Sequence, residues 1–271
     1  NACHSLKEMN LPVAFLPVDR HGILQPEILR SGLKDDSALV SVMLANNEIG
    51  TIEPIQELAS IAHEHGVVFH TDAVQAVGHI PIDVKKLGVD MLSASAHKFN
   101  GMKGSGFLYI RKGVEIHPYF DGGSQERGMR AGTENIAAIV AMGYALQKNC
   151  ARMENMEVKL HRLEDVFLKH LSQSGIDYIR NGSEDHLPGN INISINGADG
   201  EMLLHRLDLK GICISTGSAC DSVNTRVSHV IEAIKVPETY AKGTIRVTFG
   251  WENTEDEAIK IADALINILL R

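Results

Sequence analysis

The chain has 271 residues, of which 44% are hydrophobic and 22% charged, and its formal net charge is −8. That length suits one large domain or two of ordinary size, and the balance is typical of a globular protein. Charges of both signs are interspersed and no Lys/Arg stripe stands out, which argues against a nucleic-acid partner. No apolar run is long enough for a membrane span and no signal-peptide pattern is recognisable, so no membrane partner is expected.

The four cysteines, Cys3, Cys150, Cys213 and Cys220, are scattered along the chain. None forms the closely spaced pair that is typical of a zinc site, so no metal is expected. Isolated thiols in a chain of this size favour a reducing, cytoplasmic compartment over a disulfide framework.

In chain order, hydrophobic runs and turn residues predict strands that alternate with helices. The expected strands are 13–17, 38–45, 67–70, 89–96, 106–110, 190–195, 212–215 and 244–249. The expected helices are 2–9, 26–33, 55–65, 134–150, 152–174, 200–207, 227–234 and 255–270. The alternation predicts an α/β fold whose main sheet is mostly parallel. A composition change near residue 150 predicts a large domain over 1–149 and a smaller α+β domain over 150–271.

Polar side chains follow three consecutive predicted strands at the point where each strand ends. In open α/β sheets, ligands gather at the carboxyl ends of the strands. A lysine held at the end of a buried strand also loses its proton more easily than a surface lysine, as a covalent bond to an aldehyde requires. The polar residues at the three strand ends are Asn47, then Asp72 and Gln75, then Ser95, His97 and Lys98.

This set of residues suits pyridoxal 5'-phosphate (PLP). The cofactor needs a lysine for its aldehyde, an acid facing its ring nitrogen, and donors for its phosphate and phenolic oxygen. Lys98 and Asp72 fit the first two needs, and the other four side chains fit the third. Each residue alone has a simpler interpretation: Lys98 as a solvated turn residue, His97 as a core histidine, Asp72 as a helix cap. Their occurrence at three successive strand ends favours the cofactor site.

Two loops remain to be interpreted. Cys220 lies in a loop of small residues, where an exposed thiol can act as a nucleophile. An isolated loop cysteine more often has no role, but beside a PLP site it suggests attack on something bound to the cofactor. The Gly- and Arg-rich stretch 121–133 suggests an anion-binding loop or a subunit contact, and an ordinary surface loop fits its composition equally well.

The sequence resembles the cysteine desulfurases of the class V aminotransferase-like group, which have the PLP-dependent transferase fold type I. The residues from 220 to 245 resemble the iron–sulfur-cluster branch of that family. The matching segments run in family order and cover nearly the whole chain. They are NNEIG at 46–50, HTDAVQ at 70–75, SAHK at 95–98, QERGMRAGT at 125–133 and STGSAC at 215–220.

The resemblance implies a role for each site residue. Lys98 would hold PLP and move the Cα proton, and Asp72 would face the pyridine nitrogen. Arg246 would bind the substrate carboxylate. Cys220 would attack the sulfur of bound L-cysteine, become a persulfide and leave L-alanine. The remaining contacts would come from Asn47 and Gln75 at the phenolic side of the ring, Ser95 and His97 at the phosphate, and Thr133 at the phosphate of the neighbouring subunit's cofactor.

The resemblance also implies a homodimer and a protein partner, either a sulfur acceptor or a scaffold for iron–sulfur clusters. Three places depart from the family pattern: Asp121 stands where His is common, residues 225–227 replace a usual Glu-Pro region, and 251–253 is unusual after the last strand. These departures concern partner choice and loop behaviour more than chemistry.

Two other functions stay open from the sequence. An aminotransferase or lyase would share the PLP site, although neither needs a thiol in a loop. A truncated, non-catalytic homologue that only binds partners is the other reading. It is disfavoured because Lys98, Asp72 and Cys220 are all present.

The start of the sequence carries a further expectation. Members of the group have an additional N-terminal segment, on the order of 100 residues, with a phosphate loop at a helix N-terminus and a histidine that stacks on the cofactor ring. The sequence begins with Asn1 and contains neither feature, so we expect an N-terminally incomplete large domain. The chain alone should then bind PLP poorly, and addition of the segment should restore the absorption of the lysine-bound cofactor.

Overall fold

Two β-sheets joined by one long helix make up the fold in the computed structural model, which describes residues 2–217 and 227–270. The strands are β1 (Leu39–Met43), β2 (Val68–Asp72), β3 (Met91–Ser95), β4 (Gly106–Ile110), β5 (Tyr178–Asn181), β6 (Asn190–Ile195) and β7 (Thr244–Thr248). The helices are α1 (Ala2–Glu8), α2 (Pro26–Gly32), α3 (Ile55–Glu64), α4 (Val84–Leu87), α5 (Ile136–Ser172), α6 (Gly200–Asp208), α7 (His229–Ala233), α8 (Glu238–Ala241) and α9 (Glu255–Leu269). Cys220 lies outside the described residues.

The larger sheet has the strand order β1-β2-β3-β4. The first three strands are parallel, and β4 runs antiparallel beside β3. Parallel strands require a crossover between them, and α3 provides it between β1 and β2. Its buried face, which includes Leu58, Ala59 and Ala62, belongs to the core beneath the sheet. The arrangement confirms the predicted α/β class and brings the carboxyl ends of three strands to one edge.

The smaller sheet has the order β5-β6-β7, and all of its pairs are antiparallel. Every residue of β6 is buried because β6 is the central strand and is covered by other elements. Helices α6 and α9 contribute Leu203 and Leu265 to the core beside this sheet. A capping box between Thr254 and Glu257 fixes the start of α9.

Helix α5 is one continuous element of 37 residues, whereas the sequence predicted two helices separated near residue 151. The junction contains Ala, Arg and Met, which are good helix formers, and no Gly or Pro that would end a helix. The change in composition marks a change of packing partner instead. Met142 and Leu146 pack against the core of the larger sheet, and Leu163 and Phe167 belong to the core of the smaller one.

Two predicted strands are wrong. Residues 13–17 form no strand in the structure, and Pro17 removes one backbone donor from that segment. Residues 212–215 contribute only an isolated bridge between Ser215 and Arg246. Within the described residues, no helix is both long and apolar enough to cross a membrane.

Candidate cofactor and substrate site

The polar residues predicted at three strand ends lie along one edge of the larger sheet. Asp72, the last residue of β2, is in register with Met43 on one side and Ser93 on the other. The residues that follow β1, β2 and β3 therefore begin from neighbouring positions. The edge is the one at which α/β sheets bind their ligands.

Lys98 lies in a 3-10 turn, Ala96–Phe99, that begins directly after β3. The lysine is half-buried. Asn100 follows with a φ of 66°, so the chain reverses sharply at that residue. The carbonyl of Lys98 accepts a hydrogen bond of 2.8 Å from His79 Nε2, and the carbonyl of Phe99 accepts one of 2.5 Å from Asn149 Nδ2. Side chains from two other segments thus fix the backbone of the lysine turn.

Asp72 is held at the end of β2 by its own backbone turn. Its Oδ1 accepts a hydrogen bond of 2.9 Å from the N–H of Val74. The adjacent His70 bridges Ser41 Oγ at 2.8 Å and Ser93 Oγ at 2.9 Å, one from each neighbouring strand. Burial lowers the pKa of His70, and the Asp72 carboxylate opposes that shift. These contacts give Asp72 a fixed, half-buried position.

Ser95 and His97 form a second polar group at the end of β3. Ser95 Oγ and His97 Nδ1 are 2.8 Å apart, within hydrogen-bond distance. Ser95 is half-buried and His97 is exposed, so the pair presents a hydroxyl and a ring nitrogen together at the surface. Such a pair suits an anionic group such as a phosphate.

A cavity of about 350 Å³ lies between the two sheets. From the larger sheet its walls include Asn47, Gln75 and Lys98, and from β7 of the smaller sheet they include Arg246. The structure therefore brings four of the predicted site residues together, although Arg246 lies 148 residues after Lys98 in the chain. Asp72, Ser95 and His97 are not among the lining residues of this cavity.

Arg246 is a half-buried cation at the cavity wall. Its Nη1 donates a hydrogen bond of 2.5 Å to the carbonyl of Asn47. Its Nε is buried and has no partner among the described residues. Burial lowers the pKa of Arg246, and the buried carboxylate of Glu48 raises it. A guanidinium with a spare buried donor suits a carboxylate ligand, which can accept two N–H bonds.

Thr133 is also absent from the lining of this cavity, and Cys220 lies outside the described residues. Thr133 is exposed in the loop between β4 and α5. Cys220 follows the last described residue before the gap, Gly217, by three positions. Gly217 itself is near Glu48, because a Cβ placed on it would lie 3.7 Å from Glu48 Oε2.

Sequence reasoning missed part of the cavity wall. His79, Asn149, Arg152 and Trp251 all line it, and none belongs to a strand-end motif. Of these four, only Asn149 could have been noticed in the sequence, as an amide near the end of a mostly apolar predicted helix. The other three are polar or aromatic residues whose place depends on tertiary packing.

The residues present fit PLP. A lysine, a carboxylate and a hydroxyl–imidazole pair stand at adjacent strand ends, which is the donor set that the cofactor requires. The adjoining cavity is large enough for a small ligand. Arg246, whose Nε has no partner in the described part of the chain, is one of its lining residues. Lys98 would hold the aldehyde, Asp72 the ring nitrogen, Gln75 and Asn47 the phenolic side, and Ser95 with His97 the phosphate.

Comparison with known proteins gives a consistent result. The family described as Aminotransferase class-V matches residues 1–261. A cysteine desulfurase IscS of Dictyoglomus turgidum is 49% identical over 268 residues, which is 98% of this chain and 68% of that protein. A cysteine desulfurase IscS of Methanosarcina thermophila is 44% identical over 99% of this chain and 67% of its own length. The chain therefore spans about two thirds of these relatives.

Solved structures agree with this relationship. A structure described as a NifS-like protein superposes with a TM-score of 0.90 at 34% identity, over 98% of this chain and 70% of that one. A NifS-like protein from Rickettsia africae has a TM-score of 0.85 at 29% identity. The agreement confirms the expected PLP-dependent transferase fold type I.

Proposed function

The chain belongs to the class V aminotransferase family, and from this premise we propose that it is a PLP-dependent cysteine desulfurase. It converts L-cysteine to L-alanine and transfers the sulfur to an enzyme cysteine as a persulfide, for iron–sulfur cluster or thio-cofactor synthesis. One observation carries the proposal: a single cavity joins the lysine expected to hold PLP with an arginine suited to an amino-acid carboxylate. The relatives named cysteine desulfurases support the choice within the family.

Each site residue has a separate role in the proposed reaction. Arg246 binds the substrate carboxylate and so orients the amino acid in the cavity. Lys98 removes the proton from Cα and returns a proton to the carbon skeleton. PLP, when bound, supplies the electron sink that makes Cα acidic. The Asp72 carboxylate keeps the ring nitrogen protonated, and Asn47 and Gln75 restrain the phenolic side of the ring.

Cys220 is the proposed sulfur acceptor. Its thiolate forms a bond to the substrate sulfur while the Cβ–S bond of the substrate breaks. The electron pair of the broken bond stays on carbon, which gains a proton and leaves as part of L-alanine. The sulfur remains on Cys220 as a persulfide until an acceptor protein takes it.

The decisive experiment incubates the complete natural protein that contains this sequence with PLP and L-cysteine under reductant. We expect alanine and sulfide in equal amounts. Pyruvate with ammonia would identify a lyase instead, and no product at all would favour a non-catalytic homologue. In Cys220→Ala we expect PLP to bind normally and persulfide formation to stop, and continued sulfur transfer would refute Cys220 as the nucleophile.

The setting of the enzyme is also part of the proposal. We propose a homodimer in which Thr133 reaches the phosphate of the partner's cofactor, a cytoplasmic location, and a sulfur-acceptor or scaffold protein as the physiological partner. We further propose that residues 1–149 and 150–271 form two domains. The two separate cores at opposite ends of α5 support that division.

A further inference from the structure

The turn that carries Lys98 is hydrogen-bonded to a buried amide. Asn149 is buried within α5, where an amide without partners would be costly. Its Nδ2 donates to the carbonyl of Phe99, 50 residues earlier in the chain. Phe99 is fully buried and closes the 3-10 turn that carries Lys98. The last carbonyls of such a turn have no intrahelical partner, so the bond from Asn149 supplies one next to the lysine.

Asn149 is in turn held by Arg152. Arg152 Nη2 donates a hydrogen bond of 2.5 Å to Asn149 Oδ1. An amide can rotate to exchange its oxygen and nitrogen, and a cationic donor to the oxygen fixes the orientation in which Nδ2 faces Phe99. The two residues are separated by three positions on α5, which places them on the same helix face.

Arg152 packs against the ring of Trp251, with its guanidinium carbon 4.9 Å from the ring centroid. Trp251 follows β7, the strand that carries Arg246, and its carbonyl accepts a hydrogen bond of 2.5 Å from Lys159 Nζ. The contact is a cation–π interaction of the kind that arginine makes well. The ring thus holds Arg152 in the orientation that reaches Asn149.

We propose that Asn149, Arg152 and Trp251 act together as positioning residues for Lys98. The three contacts link the strand that carries Arg246 with the turn that carries Lys98, and all three residues line the cavity that both residues share. The cluster holds the backbone of the turn at Phe99 and so sets the position from which the Lys98 side chain extends. This inference rests on the proposed function for its meaning in catalysis.

The main test replaces Arg152 with Met, which keeps an unbranched apolar stem like that of arginine and removes both the donor and the charge. The complete natural protein is used, and the rate at which Lys98 captures PLP is followed by the absorption of the lysine-bound cofactor. We expect Arg152→Met to slow capture about tenfold and to lower kcat for alanine formation by a similar factor, because small displacements of a reacting group are costly. KM for L-cysteine should change less than twofold, since Arg246 is untouched. Arg152→Lys should recover part of the rate.

A matched control lies on the same helix. Arg162 is exposed and pairs with Glu255 at the start of α9. It lies about 15 Å from Arg152 along the axis of α5. Arg162→Met should leave capture and kcat unchanged. Asn149→Ala provides a second variant, and if its melting temperature falls sharply, Arg152→Met decides alone.

An independent readout needs no cofactor. Trp251 is the single tryptophan of the chain, so protein fluorescence in the absence of PLP reports on its contact with Arg152. We expect Arg152→Met to shift the emission and Arg162→Met to leave it unchanged. Capture and kcat at the parent rates in Arg152→Met would overturn the proposal. If the parent captures PLP but makes no alanine, the desulfurase assignment fails, and the positioning role is judged on the capture rates.

Discussion

Arg246 is the residue through which substrate recognition can be tested most directly. Its buried Nε has no partner among the described residues, so a bound carboxylate would satisfy it. A hydrogen bond to a charged group contributes roughly 1.5–3 kcal/mol, and each 1.4 kcal/mol is about tenfold in affinity. We expect Arg246→Gln to raise KM for L-cysteine by roughly 10- to 100-fold while the absorption of the lysine-bound cofactor stays unchanged.

The control for this variant is Arg206→Gln on α6, whose guanidinium contacts the carbonyl of Ile268 away from the cavity. It should leave KM unchanged. Steady-state kinetics with L-cysteine distinguish the two variants. An unaltered KM in Arg246→Gln would show that another group binds the carboxylate.

Glu53 makes the stability of the fold depend on pH. Burial raises the pKa of this carboxyl to about 7, and nearby Asp19 adds to the rise, while the N–H of Leu24 opposes it. The folded protein therefore keeps this proton at pH values where the unfolded chain, with an ordinary pKa near 4.5, has lost it. The sign follows from linkage: the free energy of unfolding falls as pH rises from 4.5 to 7, by about 3 kcal/mol.

We expect Glu53→Gln to remove that component, because the amide oxygen can still accept from Leu24 and carries no charge. Urea unfolding at several pH values between 4.5 and 7 gives the free energy of unfolding of each protein. Between these pH values it should fall less in Glu53→Gln than in the parent. Glu57→Gln, on an exposed position of α3, should keep the parent profile. Parallel profiles for the parent and Glu53→Gln would contradict the expectation.

The sequence was informative about those site residues that follow strand ends. Asn47, Gln75 and Lys98 share a cavity because the strands before them are parallel neighbours, and such a juxtaposition follows from topology. Asn149, which is hydrogen-bonded to the turn that carries Lys98, could not be predicted from strand order. Asn149 reaches Phe99 only because a helix from another part of the chain packs there, and no local pattern encodes that contact.

At the scale of elements, Glu164 ties α5 to the smaller sheet. It is buried, and its Oε2 lies 2.7 Å from His186 Nε2 and 3.1 Å from Arg180 Nη2 of β5. Its Oε1 accepts a hydrogen bond from the N–H of Gly189. The hydrogen bond to Glu164 is the main cause of a raised pKa of His186. One carboxylate thus connects the helix with β5 and with the segment that leads into β6.

We expect Glu164→Gln to lower the free energy of unfolding by roughly 1–3 kcal/mol, because it leaves the buried His186 without its charged hydrogen-bond partner. The pKa of His186 should also fall, which an NMR titration of the imidazole measures. Asp165→Asn, the exposed neighbour on the same helix, should leave both quantities unchanged. A stable Glu164→Gln protein with an unshifted His186 would show that the contacts to Glu164 contribute little.

Elements with a strong local pattern were predicted well. The strands over 106–110 and 190–195 were predicted with their observed bounds. The strand over 178–181 was missed, since YIRN has only four residues and pairs with β6 through the tertiary fold. The opposite error occurred at 13–17, which was predicted as a strand. Among residues 2–217 and 227–270, this apolar run has no neighbouring strand to pair with, and it is irregular in the structure.

At the scale of the whole molecule, α5 begins with an uncovered apolar face. Ile136, Val140 and Tyr144 recur every four residues and are 61–69% exposed, and such spacing places them on one side of the helix. Tyr119, in the preceding loop, is 90% exposed. Contiguous exposed apolar surface of this kind is typical of an interface, and the proposed homodimer gives it a partner.

We expect Val140→Glu to weaken dimerisation by at least 100-fold, because an interface buries the new charge without a counter-charge. Sedimentation velocity over a range of concentrations measures the dissociation constant. Val158→Glu is a matched control on the same helix, since Val158 is 69% exposed and Val140 is 65% exposed. If both variants remain dimers at micromolar concentration, the face over 136–144 is not the interface.

Mixing two site variants tests whether each site needs both chains. Lys98→Ala removes the lysine of its own site, and Thr133→Ala removes the hydroxyl that we propose serves the partner's site. In a mixed dimer, the Thr133→Ala protomer keeps Lys98 and receives an intact Thr133 from the other protomer, so one complete site is rebuilt. We expect mixtures to regain PLP capture and alanine formation beyond the sum of the separate variants, with the gain absent when Val140→Glu is added to both. If Thr133 instead served its own chain, no protomer in the mixture would contain a complete site, and activity would stay at the level of the unmixed Thr133→Ala protein.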